Sequence, residues 1–157
     1  MKQGRFRYAL EPVLLTRRWD LNALLLTLAD HNDKVRALDA ADAVLQERYL
    51  AASMAWQEVA GADGAQPVQR FAMNLRYLAD LGEQLRAHAL KMQAQAQARD
   101  AVATQVVRAQ RGLEAVEEHR ANMQEQFTQK IRCVDFKLAD DQWNTLQKRA
   151  ASHGNQS

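Results

Sequence analysis

Side chains able to do chemistry are few in this sequence, and their spacing works against their cooperating. There are four histidines, His31, His88, His119 and His153, one thiol, Cys133, and one short titratable run, Glu117–Glu118–His119. A metal site on a helix wants two ligands four residues apart with acidic neighbours, and no histidine here has that pattern. Adjacent residues on a helix point in different directions, so Glu117, Glu118 and His119 read as a solvated face. Cys133 has no histidine in any inferable pocket and reads as an inert thiol. The sequence contains no glycine-rich phosphate loop, no GxSxG and no CxxC. The expectation is a protein without catalytic residues, cofactor or metal, not an enzyme.

The elements implied by the rest of the chain explain why such residues stay apart. Alanine, leucine, glutamine and arginine dominate the 157 residues, with only 6 glycines and 2 prolines to break them. All four favour helix, and the scarcity of punctuation predicts long helices. Counting sevens from Leu14 gives Leu21, Leu28, Val35, Asp42, Tyr49 and Trp56. The companion register is Arg17, Leu24, His31, Leu38, Leu45, Ala52 and Val59. Alternating steps of three and four are the seam of a coiled coil. A second seam reads Phe71, Leu78, Leu85, Met92, Arg99, Val106 and Leu113, beside Leu81, Val102, Ala109 and Val116. From Val116 the apolar sites continue as Met123, Phe127, Ile131, Val134 and Leu138, with successive steps of four that flatten a left-handed supercoil.

Pro12 and Pro67 suit helix starts and Gly61 suits a helix end. Lys148, Arg149 and Gly154 suit the second C-terminus. The predicted fold is all-α: one antiparallel two-helix coiled-coil hairpin over residues 1–157. Helix one covers about 11–60, the link 61–67, and a longer helix two about 67–152. At the usual rise the helices measure ~75 Å and ~130 Å. Facing positions then leave helix one exhausted opposite residues near 117. Phe127, Ile131, Val134, Phe136, Leu138, Trp143 and Leu146 are expected to lack a partner within the chain. A helix with such a face needs a cover: its own tail folded back, or another protein.

Polar residues in the seams carry smaller expectations. Asp42 falls near Arg86 and His88, where an interhelical pair would set register. Arg99 falls opposite Asp30 and His31, and Arg17 is expected to snorkel to solvent. QAQAQARDA at 93–101 offers little to hold a partner and is expected to flex. Aspartates in ADDQW at 139–143 mark a potential break, capping a final short helix.

Charge and segment patterns narrow the class further. The net charge is +2 and mixed, except at the start, where Lys2, Arg5, Arg7, Arg17 and Arg18 face only Glu11 before Asp20. Those cations are few and interrupted by Pro12, unlike a basic-zipper helix, so an acidic protein surface fits them better than nucleic acid. The twin arginine of TRRWDLNALLLTLA is followed by Asp20 and a short run without a cleavage site. No apolar run approaches the ~18 residues of a membrane span. The lone cysteine excludes an internal disulfide and suits a reducing compartment, so a cytoplasmic location is expected.

RFRYALEPVLLTRRWDLNALLLTLA resembles the N-terminus of the FliJ/YscO (SctO) family of type III secretion proteins. Members open with a basic F-x-x-L-x-x-(V/L)-L phrase followed by a leucine-bearing helix of small residues. Phe6, Tyr8, Leu10, Val13, Leu14 and Arg17 carry the likeness, with one residue more between Phe6 and Leu10 than that phrase has. The phrase covers about the first quarter, and beyond it the likeness is architectural. EQFTQKIRCVDFKLADDQW departs from the glutamate-rich second helix of flagellar members and points to a virulence or plant-associated system.

The resemblance implies a non-enzymatic central stalk of the export ATPase. Its partners would be the ATPase hexamer and the export-gate membrane protein, with export chaperones for some members, and its only tie to the membrane would be through them. The implied docking residues are Arg5, Phe6, Arg7, Tyr8, Arg17 and Arg18, with Phe127, Ile131, Val134, Leu138 and Trp143 on the overhang. The competing readings are a coiled-coil adaptor or escort chaperone, a homodimer pairing through its tail, and, further off, a helical nucleic-acid binder.

Overall fold

The computed structural model describes residues 5–61 and 67–153, with side chains as far as residue 149. Two helices account for nearly all of it: α1, Glu11–Gly61, and the longer α2, Val68–His153. They pack against each other as a two-helix hairpin. Most of the predicted link and Gly154 lie outside the described residues.

Local chemistry accounts for the helix ends. The chain enters α1 through a turn in which Glu11 N–H donates to Tyr8 C=O at 3.2 Å, and Leu14 N–H then donates to Leu10 C=O at 3.0 Å. Pro12 sits in the first turn, where a missing N–H costs nothing, and Glu11 complements the positive end of the helix. At α2 the carbonyl of Pro67 accepts from Arg70 and Phe71, so the proline caps from just outside the helix. Gly61 is the last residue of α1 rather than the one after it. The expected break near 139–143 is absent, and α2 runs through Asp140 and Asp141 unbroken. Exposed aspartates cost a helix only some tenths of a kcal/mol, and neither glycine nor proline is there to stop it.

Contacts within the chain divide into two units, residues 20–108 and residues 1–19 with 109–157. In the first, the seam positions are the covered ones. Leu21, Leu24, Leu28, Val35, Leu38 and Leu45 of α1 are half-buried, as are Leu78, Leu85, Met92 and Val102 of α2, while Leu81 and Val106 are buried. Tyr49, a seam position by count, is exposed. Trp56 meets Phe71 with ring centroids 4.2 Å apart, His88 Nε2 donates to Leu38 C=O at 2.8 Å, and Gln95 bonds His31. Positions rising along α1 meet positions falling along α2, which is the antiparallel register. Because the carbonyl only accepts, His88 carries its proton on Nε2. Because the Gln95 amide donates to Nδ1, neutral His31 carries its proton on Nε2.

Two seam expectations are corrected here. Asp42 does not pair with Arg86 or His88; it accepts from Gln46 one turn on, at 2.6 Å, and Arg86 turns to Glu83. Arg99 does not reach Asp30 or His31 but pairs with Asp100 at 2.7 Å, while Asp30 takes Lys34. A long side chain at the rim of a thin seam satisfies itself along its own helix without desolvating, and that outcome wins.

Candidate docking surface at residues 5–19 and 109–149

The second unit is held by a handful of specific contacts. Residues 5–8 are not helical, and they alternate: Arg5 and Arg7 exposed, Phe6 half-buried, Tyr8 buried at 9%. An extended segment turns successive side chains to opposite sides, so the aromatics face α2 and the arginines face solvent. Phe6 packs against Phe127, ring centroids 5.5 Å apart and tilted by 50°. Tyr8 places its hydroxyl 2.8 Å from His119 Nδ1 and 3.3 Å from Val116 C=O. Both bonds form together when the hydroxyl donates to the carbonyl and Nδ1–H donates to the hydroxyl.

Once α1 begins, charges and one leucine take over. Leu14 is fully buried. Glu11 lies 3.3 Å from Arg120 Nε, an ion pair not aligned as a hydrogen bond, so this shielded Nε–H has no hydrogen-bond acceptor in the structure. Arg18 directs Nε and Nη2 to one oxygen of Glu117, at 3.3 and 2.7 Å. Arg17 is exposed as expected, and its guanidinium lies over Gly112, where an added Cβ would sit 2.6 Å from Nη1.

These contacts correct the expectation that everything past residue 117 lacks an internal partner. Residues 5–10 prolong the cover beyond the start of α1, and Phe127 is covered by Phe6. Of the docking residues read from the sequence, Phe6, Tyr8 and Phe127 are thus engaged with one another or with α2, and Arg18 is paired. Past Phe127 exposure rises. Ile131 is half-buried, Val134 is 55% exposed, Leu138 41% and Trp143 62%. Phe136 and Leu146 are open as well. Polar side chains here bond along their own helix: Thr128 to Gln124 C=O, Gln129 to Glu125, Thr145 to Asp141 C=O.

The face has a defined layout. Ile131, Val134 and Leu138 form one stripe at helical spacing, whereas Phe136 and Trp143, seven apart, lie on another side. Shallow, open grooves flank the stripe, one along Lys130, Cys133 and Val134, another along Leu138, Gln142 and Leu146. Cys133 is an exposed free thiol. What sequence reasoning missed was the inward role of Tyr8 and the Glu11–Arg120 pair. The alternation of aromatic and arginine over 5–8 was the available signal for the former.

Comparison with family models, curated proteins and solved structures finds no match for this chain. Among the described residues no helix is long and apolar enough to cross a membrane, and no cluster of three or more histidine, cysteine, aspartate or glutamate side chains is placed to hold a metal ion.

Proposed function

We propose that this chain is a non-enzymatic coupling stalk of a type III secretion system, of the FliJ/YscO kind, working in the cytoplasm. Its unit of residues 1–19 and 109–157 docks on the hexameric export ATPase, and the protein links that ring to the export gate. A virulence or plant-associated system fits the C-terminal sequence better than a flagellar one. The observation that carries the reading is the apolar stripe of α2 that outruns its cover at Phe127, in the same unit as the RFRYALEPVLL phrase. A monomeric helix does not keep Val134, Leu138, Trp143 and Leu146 in water without a use for them.

The test is the rate of ATP hydrolysis by the cognate export ATPase with and without the purified chain. The intact chain is expected to raise it. A chain ending at Lys130, which keeps the Phe6–Phe127 and Tyr8 contacts, is expected not to. Equal stimulation by both would remove the docking role from this segment, and no stimulation by the intact chain would overturn the stalk assignment.

A further inference from the structure

Past Phe127, α2 carries on the sequence pattern of a seam, half-buried at Ile131 and exposed at Val134 and Leu138. Ile131, Val134 and Leu138 follow the covered positions Val116 and Phe127 in steps of three and four. The charges beside them are lopsided. Lys130 and Lys137, seven residues apart, border the stripe on one edge, and Arg132 lies nearby. Together with Arg5 and Arg7, exposed on either side of Phe6, they give five cations in residues 5–10 and 121–138, against Glu125 and Asp135. None of these five makes an ion pair among the described residues, whereas Arg18 and Arg120 in the same unit do. A stretch this basic is out of keeping with a chain whose net charge is only +2.

We infer that the stripe Ile131–Val134–Leu138 seats an amphipathic helix of another protein whose flank is acidic, its carboxylates meeting Lys130 and Lys137. Phe6 abuts the incoming helix, so the strap of residues 5–8 sets where internal packing ends and the partner begins. This rests on the docking role proposed above and names the chemistry of what docks there. A second copy of the chain fits poorly. Antiparallel pairing of two such stripes brings the Lys130–Lys137 edge of one against the same edge of the other, and like charges facing across a seam oppose association. Parallel pairing sets Lys130 against one carboxylate, Asp135, but stacks the same surplus of positive charge from both copies.

The experiment uses the full chain and two synthetic helical peptides with identical leucine and isoleucine stripes, one with glutamate and one with lysine on its flanks, in titration calorimetry at low and high salt. The glutamate peptide is expected to bind, to weaken as salt rises, and to lose roughly tenfold or more in affinity on Lys130→Glu/Lys137→Glu. Val134→Asp is expected to abolish binding. All these positions but Ile131 are exposed, and circular dichroism checks that helix content is unchanged. Equal binding of both peptides, or indifference to the lysine reversal, overturns the inference. A concentration-dependent dimer in sedimentation that Val134→Asp dissolves reassigns the stripe to a second copy. ATPase stimulation that survives Lys130→Glu/Lys137→Glu defeats this inference and leaves the stalk reading standing. Peptide binding without any stimulation defeats the stalk reading alone.

Discussion

Residues 20–108 and the unit built from 1–19 with 109–149 are made of the same two helices, yet they are stabilised differently. The first spreads its cohesion over many half-buried leucines, valines and alanines at heptad spacing, with Leu81 and Val106 the buried members. The second concentrates it in Leu14, Tyr8, the Phe6–Phe127 stack and two cross-helix ion pairs, and then leaves the last turns of α2 bare. A repeating seam tolerates the loss of one contact because its neighbours hold the register. A cover made of single contacts does not, and it ends at a definite residue. Where a helix face is abandoned that abruptly, the remaining apolar residues are available to something else.

Mutations sharpen this contrast. Leu14→Ala and Leu81→Ala should each cost about 2–3 kcal/mol in denaturant unfolding, the low end for a core leucine because a two-helix seam collapses easily. Leu138→Ala should cost less than ~0.5 kcal/mol, since it removes no buried contact. A large loss at Leu138 would mean that the tail is covered by its own chain. Tyr8→Phe, which keeps the ring and deletes the hydroxyl, should cost about 1 kcal/mol. It should also shift the His119 ring resonances in a proton–nitrogen spectrum.

Smaller effects discriminate more finely. Gly82→Ala should stabilise by about 0.5–1 kcal/mol, because a Cβ there meets only the Arg86 guanidinium at 3.8 Å. Gly112→Ala should gain less, since Arg17 must swing aside. Arg18→Ala should cost about 0.5 kcal/mol or less and lose even that in high salt, because the pair with Glu117 is nearly half exposed.

The pH response of residues 20–108 should be smaller still. Hydrogen bonding to Lys34 holds the Asp30 carboxyl below its ordinary value, which burial only partly opposes. A lowered folded-state pKa contributes stability that is present above the unfolded-state value and lost as pH falls through the folded one. The parent should therefore be slightly more stable than Asp30→Asn at neutral pH, with the gap closing as pH falls through the acidic range. A gap that persists unchanged in acid would contradict the assignment.

The helices and their seam were legible because burial on a two-helix interface follows spacing alone. The seam positions from Leu21 to Val116 are half-buried or buried, apart from Tyr49 and Phe71. Side-chain pairing was not legible. Asp42 had a choice between Gln46 on its own helix and Arg86 or His88 across the seam, and nothing in the spacing says that the local partner wins. The role of residues 5–8 was half legible: their aromatics were picked out, but as docking residues rather than as the cover of α2. An extended segment has no helical period to fix its inner side until the helix beneath it is in place. At the proposed docking surface, the exposure of Val134 and Leu138 agrees with the sequence reading, while the half-buried Ile131 and the Phe6 cover of Phe127 required the structure.

The measurement that bears most directly on the docking account is amide hydrogen exchange on the chain alone and mixed with the export ATPase proposed as its partner. Residues 131–149 should exchange fast in isolation, far faster than the seam of residues 20–108, and become protected in the complex while that seam is unchanged. A tail already as protected as the seam in the isolated chain, or one left unprotected by the ATPase, would contradict it.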